Sequence, residues 1–488
     1  MISIDEMASF CKKKGFVYRT SEIYNGLAGF FDFGPLGVEV KNAIKRELWQ
    51  RFVQSNEFVV GIDGAIISHP RVWVASGHAA SFSDALIEVG KGKEKVRADH
   101  LIEDKLDIKT DGMSREEMIK IIRENKLADI KEDIQDFNLM FTTNVGPSKG
   151  DANEAYLRPE TAQLIFSDFK QVLDSSRKKL PFGIAQVGKA FRNEISPRDF
   201  LFRSREFEQF EIEFFAHPDR LQDCPLYDGI KDLEVNVLTA KDQENKSDHG
   251  RSTIAGLVES KIFKTAWHAY WVAAFYRFFL DLGIKPEHLR LREHLKDELA
   301  HYASACVDIE YKFPFGWKEI HGNADRGQFD LSQHIKESKV DLSVFDEETK
   351  QKVVPYCAAE PSQGIERAFL SFMYDAYDDD KERGNVVLRL HPRIAPVKAA
   401  VLPLVNKLDE KAREIFEKVQ AVLPAMYDRS GSIGRRYARA DESGIPFCVT
   451  VDFDTLEDGS VTVRNRDTTE QERIKIDDLP AKLREWTE

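Results

Sequence analysis

The sequence has little of what marks secreted, membrane-spanning and disulfide-built proteins. Its five cysteines are scattered over 488 residues, with no CxxC pair and no histidine at ligand spacing, so we expect neither a disulfide framework nor a cysteine-based zinc site. The N-terminus lacks the basic start and apolar run of a signal peptide. The longest apolar run, residues 266–284, is interrupted by His268, Arg277 and Asp281, and we interpret it as a buried aromatic helix closed at Gly283. These absences predict a cytoplasmic protein.

No internal repeat or low-complexity tract is present, and the composition is that of an ordinary globular protein. Hydrophobic residues make up 42% and charged residues 31% of a chain whose length predicts two or three domains. The net charge of −13 argues against nonspecific coating of DNA. RNA binding stays open, because it depends on where basic groups cluster and not on their sum.

Helical patterns organise the first part of the chain. Residues 34–55 place Pro35 and Gly37 ahead of apolar residues that fall four apart on one stripe, which must be buried. The stripe consists of Val40, Ile44, Leu48 and Phe52. Residues 103–136 are rich in charge and isoleucine, and Ser114 with Glu117 forms a capping-box pattern, so we predict a small helical insertion there. Residues 239–253 are polar and predict a surface connection.

The pattern changes after His391. An apolar strand is predicted over residues 397–405 and a helix over residues 409–422. Two further strands are predicted over residues 446–453 and 460–467. Together they form a self-contained α/β unit of about a hundred residues, a common domain size. We place a domain boundary near residue 391.

The most unusual stretch is FRNEISPRDFLFRSREFEQFEIEFF, residues 191–215. It holds four arginines, five glutamates and seven phenylalanines in twenty-five residues. We interpret residues 184–194 and 202–215 as two strands joined by a loop. Because side chains alternate along a strand, one face of the second strand is charged and the other is core at its far end. The charged face would carry Arg203, Arg205, Phe207, Gln209, Glu211 and Glu213.

That charged face suits a nucleotide. Guanidinium groups bind phosphate oxygens with two parallel hydrogen bonds, and a phenylalanine can stack on a purine. Arg203 and Phe207 are about 13 Å apart at ~3.3 Å per residue, a span that fits a triphosphate and a base. The alternative is a surface sheet with cross-strand ion pairs, each worth under about 1 kcal/mol. Residues 183–190 match GxxxxGK but lack the final Ser or Thr and continue into the strand, which argues against a P-loop.

The motifs of this region resemble those of the class II aminoacyl-tRNA synthetases. In that family an Arg-x-Glu on one strand precedes a second strand with an arginine four residues before a phenylalanine. The matching residues are Arg192, Asn193 and Glu194, then Arg203 and Phe207. EPSQGIERAF resembles the third motif, with Gly364 and Arg367, and GFFDFGPLGVEVKNAIKRELWQRF resembles the first.

Further segments, in family order over nearly the whole chain, are similar to the homodimeric glycyl-tRNA synthetases. They are VWVASGHAASFSD, VRADHLIE, LMFTTNVGP, LRPETAQ, FEQFE, FGWKEIHGNADRGQFDL and AEPSQG. Leu164 and Lys318 depart from the family, which usually has glycine at both positions, and the glycine pattern before Arg367 is incomplete. The resemblance implies a glycine-tRNA ligase. Such an enzyme forms glycyl-adenylate from glycine and ATP, then transfers glycine to the 3′ end of tRNA(Gly), releasing AMP and pyrophosphate.

The resemblance also implies an α+β fold. A class II antiparallel sheet flanked by helices would occupy residues 1–390, with a helical insertion near residues 85–150 and another near 220–300. Residues 391–488 would form an α/β anticodon-binding domain, and a homodimer would form through residues 34–55, with no membrane or DNA partner. In the anticodon-binding domain a local basic cluster would contact the tRNA backbone, or it would be only a solvated helix face. The cluster is Arg429, Arg435, Arg436 and Arg439.

The site residues are those that match the family's positions. Arg192 would contact the α-phosphate, Arg203 and Arg367 the γ-phosphate, Phe207 the adenine, and Glu194 either ATP or the tRNA end. The catalytic set is thus Arg192, Glu194, Arg203 and Arg367. The implied ATP site also includes Asn193, Phe202, Ser204, Arg205, Glu206, Phe207, Glu319, Ile320, Gly364, Ile365 and Glu366. Glu319 is the implied Mg²⁺ ligand, and the implied cofactors are ATP, as substrate, and Mg²⁺.

Glycine has no side chain to recognise, so its enzyme must hold the ammonium and leave no room at the α-carbon. The resemblance gives Glu160, Glu211 and Glu360 the first task, and three acids in one empty pocket would raise one another's pKa. Exclusion of larger amino acids by size makes an editing domain unnecessary. The complete implied glycine site is Arg97, Glu160, Phe207, Glu208, Gln209, Phe210, Glu211, Arg326, Glu360, Pro361, Ser362, Gln363 and Gly364.

Simpler interpretations stay open for single residues and for the whole chain. Glu160 could cap a helix, Glu319 and Arg326 could form a structural ion pair, and Arg97 could lie in a solvated loop. The chain could also be a class II synthetase for another amino acid, or a noncatalytic RNA-binding relative. Retention of the three phosphate-binding arginines favours activity.

Overall fold

The computed structural model describes residues 1–89, 94–106, 108, 110, 113–128, 135–147, 153–300 and 302–487. Its helices are α1 (Ile4–Lys14), α2 (Pro35–Trp49), α3 (Pro70–Ala75), α4 (His78–Ser81), α5 (Ala98–Leu106), α6 (Arg115–Glu124), α7 (Ala162–Ser176), α8 (Ala240–Glu244), α9 (Ile254–Glu259), α10 (Ala266–Asp281), α11 (Phe329–Ser338), α12 (Ile365–Ala376), α13 (Asp409–Gln420), α14 (Ile433–Glu442), α15 (Asp454–Asp458) and α16 (Leu479–Thr487). Among these described residues, no helix has both the length and the apolar character needed to cross a membrane.

The strands complete the described elements. They are β1 (Val17–Arg19), β2 (Phe31–Phe33), β3 (Val59–Ile62), β4 (Ile67–Ser68), β5 (Ser83–Val89), β6 (Glu94–Arg97), β7 (Gln135–Asn138), β8 (Thr142–Asn144), β9 (Glu154–Leu157), β10 (Phe182–Phe191), β11 (Glu206–Ala216), β12 (Glu234–Leu238), β13 (Gly250–Thr253), β14 (Leu289–Glu293), β15 (Ala305–Phe313), β16 (Gly316–Asp325), β17 (Val344–Asp346), β18 (Gln351–Val353), β19 (Tyr356–Gly364), β20 (Tyr377–Asp380), β21 (Asn385–Leu388), β22 (Ala399–Pro403), β23 (Ala425–Tyr427), β24 (Phe447–Val451), β25 (Ser460–Asn465) and β26 (Gln471–Lys475).

One large sheet positions the site. Its nine strands lie in the order β13-β12-β14-β15-β16-β19-β11-β10-β3. The central pairs from β14 to β10 are antiparallel, as expected, whereas β12 runs parallel to β14 and β10 runs parallel to β3. The sheet is therefore antiparallel at its centre and mixed toward its edges. With its flanking helices it confirms the α+β class.

Helix α10 fills the core on one face of this sheet. It confirms the predicted buried aromatic helix and is followed by Gly283, whose positive φ of 97° ends the turn. Phe275 of α10 stacks on Phe52 with ring centroids 4.2 Å apart, and Trp267 lies 4.4 Å from the Phe214 ring of β11. Aromatic packing thus occupies this face. The polar chemistry is left for the opposite face.

Helix α2 confirms the predicted stripe and continues as a π-helical turn over Gln50–Gln54. The stripe residues are at most 2% exposed, because they pack into the same core as α10 and α12. Any second copy of the chain that docks on this region must therefore use other faces of α2.

The insertion near residues 85–150 is not purely helical. The predicted capping box of Ser114 and Glu117 is confirmed at the start of α6. However, β5 pairs antiparallel with both β6 and β7, so a three-stranded sheet accompanies α5 and α6. The predicted helices are thus accompanied by strands that the sequence does not predict, because short strands paired across a long connection leave a weak local pattern.

Residues 220–300 contribute to the main sheet and its core. They supply β12, β13 and β14 as well as α10. The connection predicted over residues 239–253 contains α8, which Thr239 and Asp242 cap reciprocally, and the edge strand β13. The sequence does not predict α8, because a helix of five residues is too short to show an amphipathic period.

The two strands predicted around residues 191–215 exist, and they are shorter at the site end. β10 pairs antiparallel with β11 along its whole length, and its continuous course through residues 183–190 confirms that there is no P-loop. Arg192, Glu194 and Arg203 lie beyond the strand ends, in the connection. There the backbone N–H of Arg192 still donates to the Arg205 carbonyl at 2.9 Å.

The C-terminal unit contains the predicted elements β22, α13, β24 and β25. They belong to a five-stranded sheet ordered β23-β22-β24-β25-β26, in which β22 runs parallel to β23 and β24. The sequence prediction missed β23, β26 and α16, and it includes α14 only as the alternative of a solvated helix face for the basic cluster. Ion pairs of Lys14 with Glu442 and of Glu47 with Arg393 connect this unit to α1 and α2.

Candidate active site

A cavity of about 170 Å³ opens where β10 and β11 separate, next to β16 and the start of α12. The four predicted catalytic residues all line it. Its lining is Arg192, Glu194, Leu201, Phe202, Arg203, Ser204, Phe207, Gln209, Glu319, Ser362, Gly364, Glu366 and Arg367. The structure thus brings together residues that are up to 175 positions apart in the chain, from Arg192 to Arg367. Such a convergence of arginines on one cavity suits a polyphosphate.

Arg192 is held between two aromatic rings. Its guanidinium carbon lies 5.5 Å from the Phe82 ring and 5.4 Å from the Phe207 ring. Its Nε donates to the Pro159 carbonyl at 3.1 Å. This arrangement fixes the plane of a cation that would otherwise swing on a flexible stem.

Two more arginines line the same cavity. Nη1 of Arg367 lies 3.0 Å from Glu319, and its guanidinium lies 4.4 Å from the Phe202 ring. Arg203 approaches Glu194 at 3.8 Å between Nε and Oε2. Both arginines therefore rest against a carboxylate that an anionic ligand could replace or share.

Several predicted ATP-site residues lie outside the cavity. Nε and Nη1 of Arg205 donate to the carbonyls of Glu194 and Ala28, both at 2.9 Å, so Arg205 ties the loop to the N-terminal region. Glu206 pairs with Lys189 at 2.7 Å. The remaining members are Ile320 and Ile365, whose side chains are buried in the hydrophobic core, and Asn193, whose backbone N–H donates to Leu139.

Beside this cavity, on the same face of the sheet, lies a buried cluster of acids around one arginine. Arg326 donates to both oxygens of Asp330, at 2.8 and 2.7 Å, and also to Glu360. The ring of Tyr302 lies 3.9 Å from its guanidinium carbon. Arg326 is 2% exposed. A buried charge needs this degree of pairing to be stable.

Glu211 lies at the centre of the acid cluster. It accepts hydrogen bonds from the Thr161 backbone N–H at 2.9 Å and from the Thr161 hydroxyl. Gln209 and Ser362 donate to its other oxygen at 3.0 and 2.7 Å. These four donors use the acceptor capacity of the carboxylate.

The acids differ in how burial and charge act on their pKa values. Burial raises the pKa of Glu360 to about 8, with the charges of Glu211 and Glu160 adding to the effect against that of Arg326. Burial, and then the charge of Glu160, also raise the pKa of Glu211. For Glu160 burial acts upward, but His78, Arg326 and Arg192 outweigh it and lower the pKa. The predicted rise in pKa among neighbouring acids is confirmed for Glu360 and Glu211. At Glu160 the pKa is lowered instead, and His78, which the sequence did not predict, is the largest cause of the lowering.

Four predicted glycine-site residues point to the other face of the sheet, because side chains alternate along β11 and β19. Glu208 pairs with Lys45 at 2.9 Å, and Phe210 lies in the α10 core. Gln363 donates to the Ile320 carbonyl at 2.8 Å, and Pro361, which alternates with Glu360 and Ser362 along β19, is buried on the same face as Gln363. Only alternate residues of each contiguous motif therefore face the acid cluster.

The alternatives for single residues are also resolved by contacts. Glu319 and Arg326 do not pair with each other, since Arg367 and Asp330 respectively are their partners. Arg97 is not in a solvated loop: it donates to Asp99 at 3.0 Å and lies 3.9 Å from Glu194, which lines the cavity. The Glu160 side chain contacts His78 and Gln163 instead of capping α7.

Sequence reasoning missed several residues of the site. Asp330 and His78 complete the acid cluster, and both lie in segments that resemble the family, FGWKEIHGNADRGQFDL and VWVASGHAASFSD respectively. Near Glu319, one ligand atom each of His294, Cys306 and Asp308 lie within 4.8 Å of one another. A Cβ at Gly322 would lie 3.6 Å from both Asp308 Oδ1 and Glu319 Oε1, so the two carboxylates border one space. These oxygens are the ligands that could hold a divalent cation.

Comparison with known proteins agrees with this geometry. Residues 141–236 match the family model "tRNA synthetase class II core domain (G, H, P, S and T)", and residues 398–486 match "Anticodon binding domain". The chain is 46% identical to a glycine–tRNA ligase of Caldanaerobacter subterraneus subsp. tengcongensis, over 99% of this chain and 98% of the relative. A glycine–tRNA ligase of Acetivibrio thermocellus is 47% identical over 98% and 97% of the two chains.

The chain belongs to the glycine–tRNA ligase family. A further relative, from Clostridium perfringens, is 45% identical over 98% of this chain and 97% of its own. The similarity spans both the class II core and the anticodon-binding unit. The alternative of a class II synthetase for another amino acid is therefore set aside, and the arginine-lined cavity and the acid cluster belong to a glycine–tRNA ligase core.

Proposed function

We propose that the arginine-lined cavity binds ATP and that the adjacent acid cluster binds glycine, so that the chain forms glycyl-adenylate and then glycyl-tRNA(Gly). The observation that carries this assignment is their adjacency: Ser362 lines the cavity and also donates to Glu211 of the acid cluster. AMP and pyrophosphate are the other products. The test is transfer of labelled glycine to tRNA(Gly), with a noncognate tRNA as control. Absence of glycyl-tRNA from folded protein would refute the assignment.

The first step needs two anions to meet, because the glycine carboxylate attacks the α-phosphorus of ATP. Arg192, fixed between two rings, is placed to cancel charge on the α-phosphate. Arg203 and Arg367 bind the γ-phosphate, and Phe207 stacks on the adenine. The protein contributes mainly positioning and fixed positive charge, which are worth most in a site closed to water.

We also propose that Mg²⁺ binds with ATP. The carboxylates of Glu319 and Asp308, which border one space beside Gly322, are hard oxygen ligands of the kind that Mg²⁺ prefers. When bound, the ion would neutralise part of the phosphate charge. Burial raises the pKa of Asp308 to about 6, with the negative charge of Glu319 adding to the effect and His294 opposing it. A bound cation would offset the repulsion between the two carboxylates.

The pocket predicts how glycine binding depends on pH. With the pKa of Glu360 raised to about 8, the empty site carries a proton there at neutral pH, and the glycine ammonium favours the ionised form. Binding then releases a proton, so the KM for glycine should fall as pH rises from 6 to 8, by at most about tenfold per unit. In Glu360→Gln this slope should be reduced. A wild-type KM that is flat or rises over this range would contradict the account.

The C-terminal unit is proposed to bind the tRNA anticodon stem, and its basic cluster is not uniform. Nη1 of Arg436 donates to the carbonyl of Pro403 at 2.5 Å, and Arg429 and Arg439 pair with Asp409 and Asp428. Arg435 is exposed, and in the described part of the chain it forms no hydrogen bond or ion pair.

Arg435→Ala is therefore expected to weaken tRNA binding and to lower the slope of log K against log salt by about 1, since one phosphate contact is lost. Measurement by filter binding at several salt concentrations checks this. Arg436→Ala should mainly destabilise the unit, which serves as the contrasting variant. An unchanged salt slope in Arg435→Ala would remove Arg435 from the proposed interface.

We further propose the domain division at residues 1–390 and 391–488, a homodimer that forms through exposed faces of the 34–55 region, and a cytoplasmic location, where tRNA(Gly) is used. No membrane or DNA partner is proposed. Sedimentation of an active protein as a monomer would refute the dimer.

A further inference from the structure

His78 is a buried histidine of the acid cluster that the proposed reaction has not used. Its Nε2 lies 3.2 Å from Glu160 Oε2, and its Nδ1 lies 2.8 Å from the Ser76 hydroxyl. Both ring nitrogens therefore have a partner. Neither His78 nor Glu160 is more than 9% exposed, so water competes little for these contacts.

The imidazole is fixed by its surroundings. Trp73 packs edge-on, with ring centroids 5.6 Å apart and an interplanar angle of 80°, and Phe82 lies 5.2 Å away. Gly77, directly before His78, has a φ of +86°, a conformation that favours glycine, and it turns the chain from α3 into α4. The ring therefore has little freedom to leave Glu160.

The contact with Glu160 determines where the proton lies. Opposing charges hold the pKa of Glu160 low, so this carboxylate is ionised and can only accept. Nε2 of His78 must then carry the proton that it donates to Glu160. The Ser76 hydroxyl oxygen lies 2.8 Å from Nδ1 and holds the other side of the ring.

Among the acids, Glu160 is open to a further donor. From the described residues, Glu211 accepts four hydrogen bonds, whereas each oxygen of Glu160 accepts one, from His78 and from Gln163 at 3.2 Å. A carboxylate offers about four lone-pair positions. Glu160 is thus aimed by two donors and keeps capacity for an ammonium group.

We propose that His78 is a positioning residue that holds Glu160 for the ammonium group of glycine, an inference that rests on the function proposed above. His78 acts through Glu160 and does not itself contact the reacting atoms. By holding one oxygen of Glu160, His78 fixes a carboxylate that keeps acceptor capacity for an ammonium group. This role does not include a contact with ATP. Replacing His78 should therefore weaken glycine binding alone, whereas a general loss of structure would weaken the binding of both substrates.

The test compares KM values for glycine and for ATP in pyrophosphate exchange. His78→Leu removes the donor, and we expect the KM for glycine to rise about tenfold or more while the KM for ATP stays within about twofold. His78→Gln keeps an N–H donor at a similar reach and should restore the KM for glycine to within about threefold of wild type. His249→Leu is the matched control, because His249 packs edge-on against Trp317 and neither residue lines the cavity.

The outcomes separate the inference from the proposed function. Wild-type protein without glycine-dependent exchange would refute the function itself. With active wild type, an unchanged glycine KM in His78→Leu, equal rises for both substrates, or no rescue by glutamine would overturn the role of His78. If His78→Leu does not fold, Ser76→Ala replaces it. There we expect about a threefold rise for glycine alone, and no rise would overturn the inference.

Discussion

Replacing Arg192 by alanine is expected to lower the rate of glycine-dependent ATP–pyrophosphate exchange by about 10²- to 10³-fold, the usual cost of removing one preorganised charge from a transition state. The α-phosphorus gains negative charge as the glycine carboxylate attacks. Arg192 is the arginine whose plane is fixed in advance by Phe82, Phe207 and the Pro159 carbonyl. The effect should fall on kcat more than on the KM for glycine.

Two variants sharpen this result. Arg192→Lys keeps the charge but loses the planar fork, so it should recover only part of the lost rate. Arg220→Ala removes an arginine that pairs with Asp346 and Glu348 far from the cavity, and its activity should equal that of wild type. Exchange by Arg192→Ala within about threefold of wild type would contradict the assignment.

Replacing Arg326 by leucine is expected to destabilise the catalytic core by about 3–5 kcal/mol, the cost of leaving buried acids without their partner. Arg326 is the buried cation that donates to Asp330 and Glu360. Without it, the Asp330 carboxylate would have no buried cation to pair with, and Glu360 would lose its donor. Glycine activation should be lost as well, because Glu360 would no longer be held at the pocket.

An exposed ion pair offers the matched control. Arg71 also pairs with a glutamate, Glu337 at 2.8 Å, but its side chain is 60% exposed. Arg71→Leu should cost less than about 1 kcal/mol, since water screens such pairs. The measurement is urea unfolding followed by tryptophan fluorescence, with the free energies of unfolding compared. Equal losses for the two variants would contradict the claim that burial makes Arg326 essential.

Much of the fold could be predicted from local patterns. The aromatic run of α10, the four-residue spacing on α2 and the strands β22, β24 and β25 each carry a strong periodic signal. What failed were short elements whose partners are distant. β5, β6 and β7 gain their stability from one another across a long connection, and the five-residue α8 shows no period of its own.

For the site, the alternation of side chains along β11 was the most informative rule, because it predicts which residues share a face of the sheet. It placed Glu211 and Glu213 on one face of β11 and Phe210 on the other, as the structure has them. The family resemblance alone assigns Glu208 and Gln363 to the glycine site, but alternation along the strands places both on the opposite face, as the structure has them.

Other site residues could not be predicted from the sequence because their chemistry depends on contacts between distant segments. His78 meets Glu160 across 82 positions, and Asp308 borders Glu319 only because β15 and β16 pair. Single residues of these types are common, and only the fold gives them a partner. The family resemblance predicts the acids and arginines of the site, whereas groups that orient them, such as His78 and Phe82, are identified from the structure.

The most direct test of the central claim is ATP–pyrophosphate exchange by the wild-type protein with each of the twenty amino acids in turn. A glycine–tRNA ligase core, with an acid cluster for the ammonium group beside an arginine-lined cavity, predicts exchange with glycine alone. Exchange with a larger amino acid would contradict the proposed pocket, and no exchange from folded protein would contradict the catalytic assignment and favour a noncatalytic tRNA-binding role.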